Sequence, residues 1–63
     1  MKYLVQLFDD KTDRRAVVID WTPEDAKQRV WLHDPKGPWE NSECRIVCRV
    51  PQTNTSQILA LEY

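Results

Sequence analysis

The sequence predicts a small α+β domain, in which one helix packs on one face of an antiparallel sheet of about four strands. Three observations lead to this fold. A chain of 63 residues is long enough for one domain with a small core. Four segments are rich in β-branched and aromatic residues, and a strong helix start lies between the second and the third. We therefore expect residues 1–63 to form a single domain with the element order ββαββ.

The first two predicted strands flank a polar turn. Residues 2–8, KYLVQLF, and residues 14–21, RRAVVIDW, are rich in β-forming side chains. Between them, residues 9–13 read DDKTD, a composition that favours a turn. These segments predict an antiparallel hairpin at the start of the chain.

The helix has the best local signal in the sequence. Thr22 suits the N-cap, Pro23 suits the first helical position, and Asp25 completes a T-x-x-D capping pattern. Pro35 disfavours helical geometry at the residue before it, so we expect the helix to span about residues 23 to 33. The stripe expected to face the sheet comprises Ala26, Val30 and His33, widened by Trp31 and Leu32.

The second half of the chain predicts a loop and two more strands. Residues 34–43, DPKGPWENSE, contain the single glycine of the chain and have no periodicity, which indicates a connecting loop. Residues 43–50, ECRIVCRV, and residues 56–63, SQILALEY, then read as strands joined by PQTNT. Trp39 in the loop has two interpretations: it covers the edge of the core, or it contacts a partner.

The two cysteines of the third strand raise the possibility of a metal or redox site. In a regular strand Cys44 and Cys48 share one face but lie about 13 Å apart, beyond the roughly 7 Å limit for a disulfide. A helical segment would bring them together, and His33 with Asp34 would complete a zinc site. The β-branched residues around the cysteines argue against that helix. We therefore expect buried free thiols, and neither a metal nor a cofactor.

One short helix covers only one face of a four-stranded sheet, so the other face meets water or a partner. Strand alternation predicts which residues lie on each face. The face under the helix is expected to hold Tyr3, Val5, Leu7, Cys44, Ile46, Cys48, Leu59, Leu61 and Tyr63. The opposite face is expected to hold Leu4, Phe8, Val47, Ile58 and Ala60 among Lys2, Gln6, Arg45 and Arg49.

Charge and composition narrow the function classes. Nine basic against ten acidic residues produce no overall field that attracts nucleic acid or anionic lipid. Two cysteines are typical of a reducing compartment, and no segment is long and apolar enough to span a membrane, so we expect a cytoplasmic protein. Paired carboxylates at catalytic spacing, a phosphate-binding loop and a triad signature are all missing from the sequence, so an enzyme is not predicted.

The whole chain resembles a class of small inhibitors. A strand leads through DWTPEDAKQRV into one helix, and the chain returns through CRIVCRV and ILALEY. In this organisation the chain is similar to the small proteins that bacteriophages and mobile elements encode to inhibit host machinery, including anti-CRISPR proteins and inhibitors of host RNA polymerase. The resemblance is one of type, and no functional residue is carried over from it. It implies a mode of action in which the protein occupies a surface on a larger complex that handles nucleic acid.

These observations together predict a non-enzymatic protein-binding module with a protein partner. The expected anchors are Phe8, Arg45 and Arg49 on the helix-free face and Trp39 in the neighbouring loop, because aromatic and arginine side chains are enriched at interfaces. The second-choice contact is the acidic hairpin, with Asp9, Asp10 and Asp13. Two alternatives remain open: a sheet that binds single-stranded nucleic acid, and a small homodimeric structural or regulatory protein.

Overall fold

The computed structural model describes residues 1–51 and 54–62, in which four strands form one antiparallel sheet. The elements are β1 (Lys2–Asp9), β2 (Arg14–Asp20), α1 (Pro23–His33), β3 (Glu43–Val50) and β4 (Gln57–Glu62), with a 3₁₀ turn at Trp39–Asn41. The strand order in the sheet is β3-β1-β2-β4. This confirms the predicted α+β fold and the ββαββ order, while Tyr63, the predicted end of the last strand, lies outside the described residues.

The turn between β1 and β2 is held by its own side chains. Asp9 is buried, and its Oδ2 accepts hydrogen bonds from the Thr12 backbone N–H at 3.0 Å and from Thr12 Oγ1 at 2.6 Å. Asp13 has a φ of 57°, in the left-handed region that aspartate tolerates better than most residues. Asp9 and Asp13 therefore have a structural role in the turn.

Helix α1 begins as predicted, with the Asp25 backbone N–H donating to Thr22 Oγ1 at 3.0 Å. Its contact with the sheet is narrower than predicted. Ala26 and Val30, four residues apart, are fully buried, whereas Trp31, Leu32 and His33 are exposed. The prediction that these three face the sheet is wrong, because three turns of helix present a single row of small side chains to the sheet beneath.

The core lies between α1, the 3₁₀ turn and one face of the sheet. Its fully buried residues are Val5, Leu7, Ala16, Val18, Ala26, Val30 and Trp39. Trp39 is the largest of them, and its Nε1 donates to Asp34 Oδ2 at 3.0 Å. Trp39 is therefore a core residue. The interpretation in which it contacts a partner is wrong, because none of its side chain is exposed.

A β-bulge in β3 changes which residues share a face. Residues paired across an antiparallel ladder lie on the same face, and the pairing shifts from Val5↔Ile46 to Leu4↔Cys48, which leaves Val47 as the extra residue. Cys44 and Ile46 therefore lie on the helix side, but Cys48 lies on the opposite side. The prediction that both cysteines are buried on one face is wrong: Cys44 is half-buried and Cys48 is exposed.

The same bulge separates the two arginines that were expected to act together. Arg45 pairs with Gln6 on the helix-free face, whereas Arg49 pairs with Tyr3, which packs against the core. Arg49 therefore lies on the helix side of the sheet. Strict alternation through residues 43–50 failed here, because one inserted residue reverses the parity of everything beyond it.

A second bulge, in β4, changes which residues of the last strand lie on the helix side. Pairing shifts from Val17↔Ala60 to Val18↔Ile58, with Leu59 as the extra residue. Ile58 and Leu61 pack against the core on the helix side, so the predicted assignment of Ile58 to the other face is wrong. Leu59 was predicted under the helix and is instead 49% exposed. Both edge strands thus have a bulge, a feature that discourages edge-to-edge pairing.

The close packing around Gly37 provides a test of the loop that contains Trp39. A Cβ at this position would lie 2.5 Å from both Asp34 Oδ2 and Trp39 Nε1, the two atoms of the hydrogen bond that holds the indole in the core. We expect Gly37→Ala to lower the free energy of unfolding by about 1–3 kcal/mol through overpacking. Urea denaturation measures the change. Lys36→Ala, at the exposed neighbouring position, is the control, with an expected change within about 0.5 kcal/mol. Equal effects of the two substitutions would contradict the prediction.

Candidate protein-binding face

Both α1 and the 3₁₀ turn pack on the same face of the sheet, and in the described part of the chain no helix packs on the opposite one. We call this opposite surface the open face. Its residues form four rows across the strands, as given by the pairing registers. The rows are Glu43–Phe8–Arg15–Glu62, Arg45–Gln6–Val17–Ala60, Cys48–Leu4–Ile19–Gln57 and Val50–Lys2.

The middle of the open face is apolar. Leu4, Val17 and Ile19 lie side by side on the two central strands and are half-buried by their neighbours in the sheet. Ala60 and Val50 extend this surface toward the two edges. An apolar centre that is surrounded by polar and charged residues is the arrangement found at protein interfaces.

The end of the open face near the hairpin is polar and contains an aromatic residue. Arg15 stacks on Phe8, with 5.3 Å between the guanidinium carbon and the ring centroid. Gln6, Glu43 and Arg45 complete a shallow depression of about 370 Å³ around Phe8. The depression offers an aromatic ring and charges of both signs to a contacting surface.

The other end of the open face is closed by a second cation–π pair. Lys2 Nζ lies 4.9 Å from the centroid of the Trp21 ring. Lys2 is only 3% exposed, whereas Trp21 is 53% exposed. Trp21 therefore covers the lysine and extends the apolar surface of the open face beyond the end of β2.

The structure keeps some of the predicted contact residues together and separates others. Phe8 and Arg45 lie on the open face, while Arg49 lies on the helix side and Trp39 is in the core. Of the acidic hairpin, Asp9 is buried in the turn, but Asp10 and Asp13 are exposed at its tip. Asp13 Oδ1 lies 3.7 Å from Arg15 Nη2, so part of this acidic charge is neutralised locally.

Sequence reasoning missed several residues of this face. Arg15, Val17 and Ile19 alternate with the buried residues of β2, and that alternation was available in the sequence. Alternation could not predict the position of Cys48, because its place on the open face depends on the bulge. Trp21 belongs to the predicted strand of residues 14–21, so alternation places it on the face of Arg15, Val17 and Ile19, although β2 ends one residue earlier.

A groove between α1 and β4 is the second candidate site. It has a volume of about 580 Å³. Its lining residues are Asp20, Asp25, Gln28, Arg29, Leu32, His33, Gln57 and Ile58. Asp20 lies at the base, where its Oδ2 accepts from Arg29 Nε at 2.6 Å and its Oδ1 accepts from the Trp21 backbone N–H at 2.9 Å and from Ser56 Oγ at 3.3 Å. Both carboxylate oxygens are thus engaged within the protein.

The electrostatics of Asp20 indicate a structural role. Burial raises the pKa of the carboxyl, but this effect is outweighed by the hydrogen bonds from Arg29, Trp21 and Ser56 and by the positive charge of Arg29. The net result is a pKa below the ordinary value for aspartate. A carboxylate that resists protonation and has both oxygens bonded is a poor proton acceptor, so Asp20 is not suited to act as a general base.

Among the described residues, the thiols and the histidine belong to no cluster that could hold a metal ion. Burial is the main cause that raises the pKa of Cys44, with Lys27 lowering it and Glu24 raising it, so this thiol stays protonated at neutral pH. Within residues 1–51 and 54–62, no three side chains among His, Cys, Asp and Glu come close enough to hold a metal ion. In the same residues, none of the helices has the length and apolar character needed to cross a membrane.

Comparison of the chain with protein-family models, with curated proteins and with solved structures gave no match.

The hydrogen bonds of Asp20 predict that the free energy of unfolding depends on pH. Because the pKa of Asp20 is lowered on folding, its contribution to stability is present above the unfolded pKa, about 4, and is lost as the pH falls through the folded pKa. We expect Asp20→Asn to lower the free energy of unfolding by about 1.5–3 kcal/mol at pH 7, since Arg29 loses its charged partner. The difference from the unsubstituted protein should shrink at pH 3.

Urea denaturation at the two pH values measures this effect. Asp10→Asn, at an exposed position of the hairpin tip, is the matched control, with an expected change within about 0.5 kcal/mol at pH 7. A difference for Asp20→Asn that is the same at both pH values would show that the charge of Asp20 is not the cause.

Proposed function

We propose that this protein is a non-enzymatic protein-binding module that acts in the cytoplasm and contacts its partner through the open face. One observation carries the proposal: in residues 1–51 and 54–62, no helix packs over the apolar centre formed by Leu4, Val17 and Ile19. Charges of both signs surround this centre. Interfaces of this composition bury the apolar centre and use the charged rim for orientation and specificity.

The charges of the open face favour a protein over a nucleic acid as the partner. Arg15 and Arg45 are accompanied on the same face by Glu43 and Glu62. The ammonium group of Lys2 is covered by the Trp21 ring. Binding to single strands relies on a basic groove together with stacked aromatic residues, and a balanced face supplies little of the phosphate attraction that dominates such affinity.

The geometry of the two depressions supports a binding role over an enzymatic one. The space around Phe8 is shallow and is lined by arginine, glutamine and glutamate, without a thiol or an imidazole beside them. In the groove between α1 and β4, the buried carboxylate of Asp20 is held by three donors. The depression around Phe8 is therefore better suited to contact with a surface than to catalysis.

We further propose that the partner is a larger complex that handles nucleic acid, such as a CRISPR effector or RNA polymerase, and that binding blocks a surface on it. The resemblance to small phage-encoded inhibitors suggests this partner class. The dimensions of 33 × 19 × 17 Å support the mode of action, since a body of this size covers a local patch on a much larger partner. Occlusion requires only a rigid face of matching shape and charge.

Two arginines on β3 provide a matched test. Both are exposed residues of β3, but Arg45 lies on the open face and Arg49 on the helix side. We expect Arg45→Ser to reduce capture of partner proteins at least about ten-fold, because arginine side chains are frequent hot spots of interfaces. We expect Arg49→Ser to leave capture unchanged.

The measurement is affinity capture from nuclease-treated bacterial lysate, quantified by mass spectrometry, with circular dichroism and the melting temperature confirming that both variants fold. The nuclease removes proteins held only through nucleic acid. Proteins lost with Arg45→Ser and kept with Arg49→Ser are the specific partners, and a subunit of a complex that handles nucleic acid should be among them. Equal capture by both variants and the unsubstituted protein would contradict the open face as the contact surface.

A further inference from the structure

We infer that the protein has a second contact surface, on the helix side of the sheet, where an arginine side chain of a protein partner stacks on Trp31 and pairs with Glu24 and Glu40. The site is a depression of about 260 Å³ between α1 and the 3₁₀ turn, called here the Trp31 depression. Its lining residues are Glu24, Lys27, Gln28, Trp31 and Glu40. The sheet separates this depression from the open face, so the inference does not depend on the proposed function.

The exposure of Trp31 is the first argument for a contact at this place. Trp31 is 42% exposed, whereas Trp39 is fully buried. The indole N–H of Trp39 donates to Asp34, but within residues 1–51 and 54–62 the indole N–H of Trp31 has no acceptor. Tryptophan is among the residue types enriched at interface hot spots, where its apolar body and its N–H group both find partners.

The ring of Trp31 differs from two other aromatic rings of the chain in its surroundings. Phe8 has the guanidinium of Arg15 over its ring, and Trp21 has the ammonium of Lys2. In the part of the chain that the structure describes, no cation lies over the ring of Trp31. The electron-rich face of an indole attracts cations, so this ring can accept one from a partner.

The charges of the Trp31 depression favour a cation as well. Two carboxylates, Glu24 and Glu40, line it with one ammonium group, that of Lys27. Neither carboxylate forms an ion pair or a hydrogen bond within the described residues. Lys27 is half-buried, and burial followed by the charge of Lys27 are the two largest influences on the pKa of Cys44, ahead of Glu24. The ammonium of Lys27 therefore lies toward β3, and the depression keeps an excess of negative charge.

Both walls of the depression are fixed by the core. Glu24 and Trp31 lie about two turns apart on one stripe of α1, and the helix is packed on the sheet by its buried residues. Glu40 follows directly after Trp39, whose fully buried ring anchors the 3₁₀ turn. The backbone that presents the indole and the carboxylates is thus already in place before a partner binds.

A guanidinium group is the cation that suits this combination of groups. It is planar, it stacks on aromatic faces, and its N–H donors bind carboxylates in pairs, whereas the ammonium of a lysine is a compact point charge. The unpaired indole N–H of Trp31 remains available to a backbone carbonyl of the same partner. An arginine on a protein surface supplies both groups.

An arginine tripeptide tests the site on the unsubstituted protein. We expect acetyl-Gly-Arg-Gly-amide to shift the indole N–H resonance of Trp31 in the ¹H–¹⁵N spectrum at low salt, while those of Trp21 and Trp39 keep their positions. Trp21→Phe and Trp31→Phe assign the three resonances. The matched probe is the same peptide with citrulline, which keeps the shape of the arginine side chain without its charge. We expect the citrulline peptide to have a dissociation constant at least about five-fold higher.

Neutralising the two carboxylates tests their part in binding. We expect Glu24→Gln combined with Glu40→Gln to raise the dissociation constant of the arginine peptide at least about three-fold, because both amides lack the negative charge. Asp10→Asn combined with Glu62→Gln is the matched control, since it changes the net charge equally at exposed positions outside the depression. The control should leave the dissociation constant unchanged, and circular dichroism confirms that both variants fold.

A Trp31 resonance that does not move with the arginine peptide, or that moves equally with the citrulline peptide, would overturn the inference. Equal weakening by the two pairs of substitutions would also overturn it, because the attraction would then come from the net charge of the protein. A glutamate tripeptide or an oligonucleotide that shifted Trp31 in place of the arginine peptide would show that the site selects anions, and the inference would fail. Partner capture by the open face is measured separately with Arg45→Ser, so the failure of one surface leaves the other standing.

Discussion

The carboxylate of Asp20 connects the end of β2 to α1 and to the segment before β4. It is almost fully buried at the end of β2, and it accepts hydrogen bonds from Arg29 on α1 and from Ser56 in the segment before β4. A buried charge of this kind is stable only with partners, so the position of the helix and the approach of the last strand are fixed by the same group. Because α1 is fixed on that side, the opposite side of the sheet is left open.

The open face follows from the size of the chain as much as from its sequence. One helix of 11 residues and one 3₁₀ turn cover one side of four strands. The half-buried apolar side chains on the other side have a cation–π pair at either end, Lys2 with Trp21 and Arg15 with Phe8. These pairs orient the aromatic rings without a helix above them. This is the face that we propose as the contact surface for a partner protein.

The sequence predicted the elements well, because the signals that define them are local. The cap at Thr22 and the β-branched runs each depend on residues only a few positions apart. The candidate site was predicted only in part. Phe8 and Arg45 were placed on the open face correctly, but Arg49 and Cys48 were assigned to the wrong faces, since an extra residue at position 47 reverses the alternation. A bulge depends on pairing with β1, a contact between distant parts of the chain, and the strand segment itself does not show it.

By itself, the sequence determined the fold class, the order of the elements, the start of the helix and the balanced charge, because these follow from composition and from short-range patterns. The tertiary structure alone decided that Trp39 belongs to the core and that Asp20 is the centre of a network. It also decided which arginine lies on the open face. The physical reason is common to all three: burial and strand register are set by which distant segments meet, and a one-residue shift in that meeting moves a side chain to the other side of the sheet.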